Sequence, residues 1–220
     1  MKRLTIAIDG PSGAGKGTIS RTLSQELGYR HIDTGAMYRA VAWKAVHDGL
    51  PLDDEDAITA LAQRADIVVE GGVVAIDGHD VTKAIRTPEI DKAASSVARL
   101  PRVREVLVAR QRDLGKDGGV VMEGRDIGTV VFPQADVKIY LDASEEERAR
   151  RRMHDTAHSA SGSTSQAAVA EQIKARDTAD STRKASPLTL AADAVHIDTT
   201  GMPIGEVVAT VLRLVRSKLA

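Results

Sequence analysis

Leu4-Thr5-Ile6-Ala7-Ile8-Asp9-Gly10-Pro11-Ser12-Gly13-Ala14-Gly15-Lys16-Gly17-Thr18 is the stretch on which the fold turns. Its first five residues form a short, β-branched run closed by Asp9 and Gly10, the pattern of a strand buried in a parallel sheet. Ile19, Leu23 and Leu27 then recur four apart, marking one face of a helix over 15–27. Strand, small-residue turn and helix follow one another directly, the context in which a glycine-rich turn cradles phosphate. Small residues let successive N–H groups turn inward, the helix N-terminus supplies positive charge, and Lys16 adds a mobile cation. Gly10, Pro11, Ser12, Gly13, Ala14, Gly15, Lys16, Gly17 and Thr18 are therefore the candidate triphosphate-binding residues. Gly17 stands where such loops usually carry Ser or Thr for magnesium, and Thr18 is rotated from that position by roughly 100°. Magnesium is accordingly expected to be held mainly through phosphates and water, with no protein ligand assigned. Thr18 and the strand-end acid Glu123 are the two side chains that could touch it.

The composition limits what else the chain can be. Its 220 residues carry 30 Lys+Arg against 31 Asp+Glu, a formal net charge of -1, which offers no global attraction to a nucleic acid polymer. Without cysteine there is no disulfide scaffold, thiolate metal site or thiol nucleophile. One Trp, three Tyr and one Phe leave few rings for stacking on bases. Asparagine is absent, which removes the guanine-reading motif of GTPases. The N-terminal apolar stretch is too short for a signal peptide, and no apolar run approaches membrane-spanning length. A cytoplasmic protein that acts as a monomer, without membrane or polymer partners, is expected.

Further along, helices are expected over 34–47, 53–64 and 102–114, the last opened by Pro101, with Thr87 and Pro88 starting another. Gly71-Gly72 joins two β-rich runs, 67–70 and 73–76, as a hairpin closed by Asp77-Gly78. The runs 118–122 and 137–141 read as buried strands, and 195–198 as a last strand. Ser144 and Glu147 form a capping box, and Pro203 opens a terminal helix. Strands alternating with helices give an α/β fold of three layers, a parallel sheet flanked by helices. A polar stretch over 154–166 reads as a mobile loop. His154 and His158, four apart but without the zincin glutamate, read as a surface pair.

Transfer between two phosphorylated ligands needs a basic clamp on each. Arg125 and Asp126 follow a strand at the carboxyl edge of the sheet, where ligands bind in such folds. Arg39 lies on the second helix, and Arg176, Asp180 and Arg183 are spaced to share one helical face. Arg148, Arg151 and Arg152 run into the polar stretch; they either answer Glu145, Glu146 and Glu147 as a solvated cluster or ride on a lid that closes over triphosphate. From these residues alone the acceptor stays open among nucleotides and small alcohols, and a nucleotide-binding switch remains an alternative.

The chain resembles the bacterial cytidylate kinases, nucleoside monophosphate kinases with a P-loop. The likeness runs through Asp9-Gly10-Pro11 to Gly17-Thr18, Asp33-Thr34-Gly35-Ala36-Met37-Tyr38-Arg39, Pro101-Arg102-Val103-Arg104-Glu105, Glu123-Gly124-Arg125-Asp126-Ile127-Gly128-Thr129-Val130-Val131-Phe132-Pro133, and Arg176-Asp177 with Asp180 and Arg183. It implies transfer of the γ-phosphoryl group of ATP to CMP or dCMP with Mg2+. It also implies that Ser95, Arg104 and Asp126 line a cytosine pocket and that Thr34, Arg39 and Arg125 surround the monophosphate. Arg176, Asp180 and Arg183 would reach sugar and phosphates, with Lys16, Arg125, Arg176 and Arg183 as the catalytic cations. The implied organisation is one P-loop kinase domain: a core (1–36, 90–147, 184–220), a monophosphate-binding region (37–89), and a lid with its following helix (148–183). The basic residues are expected to face one cleft, with the compensating acids largely elsewhere.

Overall fold

The computed structural model describes residues 3–154 and 165–219. Its first half runs β1 (Thr5–Asp9), α1 (Lys16–Leu27), β2 (Arg30–Asp33), α2 (Thr34–His47), α3 (Glu55–Arg64), β3 (Ile67–Glu70), β4 (Val73–Ile76), β5 (His79–Asp80) and α4 (Pro88–Val97). The second half runs α5 (Pro101–Gly115), β6 (Val120–Glu123), a π-helical turn (Ile127–Val131), β7 (Val137–Asp142), α6 (Glu145–His154), α7 (Gln166–Thr182), β8 (Val195–Asp198) and α8 (Ile204–Ser217). One sheet has the order β2-β6-β1-β7-β8, with every neighbour parallel, and a smaller antiparallel sheet has the order β3-β4-β5.

Alternation along the central strands builds the layers. Leu4, Ile6, Ile8 and Val121 pack with Ile19 and Leu23 of α1 and Val207, Val211 and Val215 of α8. Ala7, Val120 and Met122 point to the other face, against Val108 of α5 and Ile127 and Val131 of the π turn. Each large aliphatic side chain removed from water contributes roughly 2 kcal/mol, so both faces must be covered for the strands to be stable. Helices α2 to α5 enclose a second core around Met37, Val41, Leu61, Val97 and Leu107. The small sheet closes a third around Ala40, Val74, Ile76 and Ile85.

Local signals account for most boundaries. Asp33, Asp54 and Thr87 accept from Ala36 N, Ala57 N and Ile90 N, capping α2, α3 and α4. Three expectations change. Glu147 N donates to Ser144 Oγ at 3.3 Å, but the Glu147 carboxylate turns to Arg150 and Arg151 and Ser144 N donates to Thr200 Oγ1, so only half of the capping box forms. Asp77-Gly78 does not end the hairpin but leads into β5, where His79 pairs with Ile76. β2 was not anticipated, because only Ile32 within Arg30-His31-Ile32-Asp33 is apolar and buried; its pairing with β6 makes it a strand. The polar stretch 154–166 and His158 fall mainly outside the described residues.

Candidate active site

The loop between β1 and α1 is shaped by what surrounds it. Gly10 has φ 145°, and a Cβ there would lie 2.0 Å from Leu141 O; at Gly13, φ 81°, it would lie 2.9 Å from Arg148 O. The loop is thus pressed between β7 and α6. Ser12 N donates to Asp177 Oδ1 at 2.9 Å, and Arg148 ties Ser12 O, Ala143 O and Asp177 together from a buried position. Arg148 is therefore no member of a solvated cluster: its guanidinium fixes the loop. Arg151 reaches Ala14 O, Thr199 and Glu147.

Lys16 curls back to donate to Gly10 O at 2.8 Å and Pro11 O at 2.7 Å. Burial pulls its pKa down to about 7, Arg125 adding to the effect and Glu123 opposing it. The lysine is held by carbonyls that cannot neutralise it, so an incoming polyphosphate offers a stronger partner.

Downstream of β6, Asp9 organises the chain. Its carboxylate accepts from Ile127 N and Gly128 N, both at 2.8 Å, at the start of the π turn. Burial pushes Asp9 up to about 6 despite those two donors. Arg112 closes the other end of the turn on Val130 O and Val131 O. This arrangement sets Arg125 and Asp126 at the carboxyl edge of the sheet.

A cavity of about 900 Å³ brings together Ser12 to Thr18, Thr34, Arg39, Ser95, Arg104, Arg125, Asp126, Arg176, Asp180 and Arg183. Gly10 and Pro11 do not line it; their carbonyls face Lys16 instead. Thr34 Oγ1 donates to Glu123 O at 2.7 Å, and Ser95 Oγ donates to Asp91 O at 3.1 Å. Arg183 lies beyond the end of α7 in extended backbone, not on the same helical face as Arg176 and Asp180, yet it still lies 3.3 Å from Asp180 Oδ1.

The acids are not elsewhere, as the charge pattern had suggested. Arg39 pairs with Asp33 at 2.9 Å, Arg104 with Asp126 at 2.5 Å, and Arg125 with Asp180 at 2.8 Å. Asp91 meets Arg176 at 3.2 Å and also pairs with Arg152. Burial opposes the charge on Arg125, but Asp180 reverses this and leaves its pKa raised. Against its own burial, Asp180 is held low by Arg125, Arg176 and Arg183. Arg104 also lies 5.3 Å from the centroid of the Tyr38 ring. Among the described residues, Arg39 Nε, Arg104 Nε and Arg183 Nη2 are buried without a hydrogen-bond partner, polar capacity that a ligand in this cavity could use.

Sequence reasoning missed Asp91, whose spacing of four from Ser95 on α4 was the available signal. It also missed Met202, Pro203, Ile204 and Val207, which give the cavity an apolar stretch beside Thr199. For a divalent cation the observation that counts is at Gly17: a Cβ there would stand 3.5 Å and 3.7 Å from the two carboxylate oxygens of Glu123. Glu123 is oriented by His31 Nε2 at 2.7 Å. Hard oxygen donors beside the first turn of α1 fit Mg2+.

Comparison with known proteins agrees with this geometry. The family model described as cytidylate kinase matches residues 6–217. A cytidylate kinase of Solibacter usitatus is 49% identical over 219 residues, covering 99% of this chain and 94% of the relative. One of Pelotomaculum thermopropionicum is 52% identical over 213 residues, covering 94% and 93%. A solved structure of an uncharacterized protein from Eubacterium ventriosum shares the fold, with a TM-score of 0.53 at 9% identity over 98% of this chain and 99% of that one. With its glycine-rich loop, arginine-lined cleft and near full-length relatives, the chain belongs to the cytidylate kinase family.

Proposed function

We propose that the cleft carries out its family's reaction, transfer of the γ-phosphoryl group of ATP to CMP or dCMP, giving ADP and CDP or dCDP. The donor lies on Ser12 to Thr18, and the acceptor lies among Thr34, Arg39, Ser95, Arg104, Arg125, Asp126, Arg176, Asp180 and Arg183. The observation that carries this reading is the buried pair of Arg104 and Asp126 on the same cavity as Lys16. Asp126 Oδ1 lies 3.8 Å from Arg183, beyond hydrogen-bond length, so it keeps capacity to accept from the exocyclic amine of cytosine. Uracil would present a carbonyl to that carboxylate, an unfavourable buried contact.

An acceptor monophosphate is already anionic, so no side-chain base is required. Its oxygen forms the new bond to the γ-phosphorus as the bond to the β–γ bridging oxygen breaks, and ADP departs with that electron pair. Lys16, Arg125, Arg176 and Arg183 offset the charge on the migrating group, and the loop N–H groups hold the donor phosphates in line. Glu123 and Thr18 are the side chains beside which Mg2+ would sit, held mainly by phosphates and water. When bound, the ion supplies neutralisation of the donor oxygens.

The same reading divides the chain into a core (1–36, 90–147, 184–220), a monophosphate-binding region (37–89) and a lid with its following helix (148–183). It also takes a cytoplasmic monomer as the working unit. No helix among the described residues is long and apolar enough to cross a membrane. The test is ADP formation across an acceptor panel at saturating ATP. Turnover should be highest with CMP or dCMP; no turnover with either overturns the reading, and preference for UMP or AMP overturns the cytosine assignment.

A further inference from the structure

Asp91 lies on α4, in neither the glycine-rich loop nor any of the motifs that pointed to nucleotide chemistry. Its Oδ1 is 3.2 Å from Arg176 Nη1 and 4.0 Å from Arg39 Nη1, and its Oδ2 accepts from Arg152 Nη2. The three arginines come from α7, α2 and α6, and all three line the cavity. The carboxylate is 13% exposed, and the arginine side chains are 10% to 23% exposed. Burial weakens the charged form of Arg176, with Arg125 and Arg39 adding to this while Asp91 opposes it. Cations collected for a phosphate repel one another in a poorly hydrated cleft, and a resident anion relieves that repulsion.

We propose that Asp91 is a built-in stand-in for a nucleotide phosphate, gathering Arg39, Arg152 and Arg176 until a phosphate group takes its place. This rests on the reading of the arginines as a phosphate clamp. A phosphate monoester dianion carries twice the charge of a carboxylate and three terminal oxygens, so it can exchange with Asp91 on the same guanidiniums. The exchange lowers affinity for every anion alike. A bare phosphate, which gains nothing elsewhere, is then held weakly, whereas a nucleotide also makes contacts through its base and sugar. Asp91 thereby sets the overall strength with which the cleft holds a phosphate, bare or in a nucleotide, without changing the ratio between the two.

The test is Asp91→Asn, which keeps shape and removes charge. Inhibition by inorganic phosphate against the nucleotide acceptor should tighten about tenfold, and KM for CMP should fall with it, while kcat does not rise. Inorganic phosphate should also raise the melting temperature of Asp91→Asn more than that of the wild type, with Asp91→Glu returning both readouts toward wild-type values. Unchanged or weaker phosphate affinity in a folded Asp91→Asn overturns the proposal, because the carboxylate then positions the arginines without yielding to phosphate. Should that variant fail to fold, the wild type carries the test: the Asp91 carboxyl carbon resonance should shift on saturation with inorganic phosphate, and an unmoved resonance overturns the exchange. Wild-type turnover of CMP, measured alongside, tests the parent reading separately.

Discussion

The two ends of the cleft present positive charge by different means. At the loop between β1 and α1 the groups facing the cavity are the backbone and one lysine of seven consecutive residues, Ser12 to Thr18, in a loop wedged against Leu141 and Arg148. Around α2, α4 and α7 the donors are arginines from distant segments, each already engaged by an acid: Arg39 with Asp33, Arg104 with Asp126, Arg125 with Asp180, Arg176 with Asp91. A backbone cradle needs no counter-ion, since peptide dipoles carry no net charge. Guanidiniums brought into a buried cleft do need one, and this is why acids and arginines share the other end.

If the contrast holds, the largest loss should come from the lysine of the loop. Lys16→Ala is expected to lower kcat about 10³-fold in an ADP-release assay, because the other cations at the loop, Arg148 and Arg151, are already held by Asp177 and Glu147. A loss below tenfold would break the contrast. Next comes the paired end, where Asp126→Ala should reduce kcat/KM for CMP roughly 10²-fold and that for UMP far less. It also strands Arg104, so chemical denaturation should show about 3 kcal/mol of lost stability. Loss of activity with unchanged stability would mean that the pair is not buried in solution.

A third expectation concerns protons. Lys16, lowered to about 7 by burial, is largely neutral at pH 8 in the free protein, whereas a bound polyphosphate favours its charged form. The pKa is therefore higher in the complex. ADP binding at pH 8 should take up protons, and affinity should decline as pH rises above 7 while this group contributes no pH dependence well below it. Calorimetry in two buffers of different ionisation enthalpy measures the uptake; proton release, or no exchange, would contradict the burial of Lys16. The smallest effect belongs to Gly17→Ser. The added Cβ meets Glu123 at ordinary contact distance, so the fold should persist, and the new hydroxyl should lower the Mg2+ concentration for half-maximal rate by about threefold.

Legibility in the sequence followed the same divide. β1, α1 and the loop were readable because their physics is local: periodicity, small residues and a helix start within eighteen residues. Arg104 and Asp126 were nameable through motif resemblance, but their pairing was not, since it spans 22 residues and depends on the π turn that follows Asp126 and is held by Asp9 at the end of β1. β2 escaped notice because an edge strand with one buried residue carries no alternation. Arg148 stayed open between a solvated cluster and a lid because helical spacing cannot tell a solvated face from one pressed against a loop.

The sequence by itself determined a phosphate-binding strand, turn and helix, a parallel α/β architecture, and a family with a defined pair of substrates. Those follow from short-range order and from motifs that stay contiguous. Tertiary structure alone decided which acid answers each arginine, that Arg148 braces the loop, and that Asp91 meets cations from three helices. Such pairings depend on where distant segments land. A near-neutral chain satisfies its charges in many ways on paper, whereas in the folded cleft Arg39, Arg104, Arg125 and Arg176 each meet an acid while Lys16 is left to backbone carbonyls.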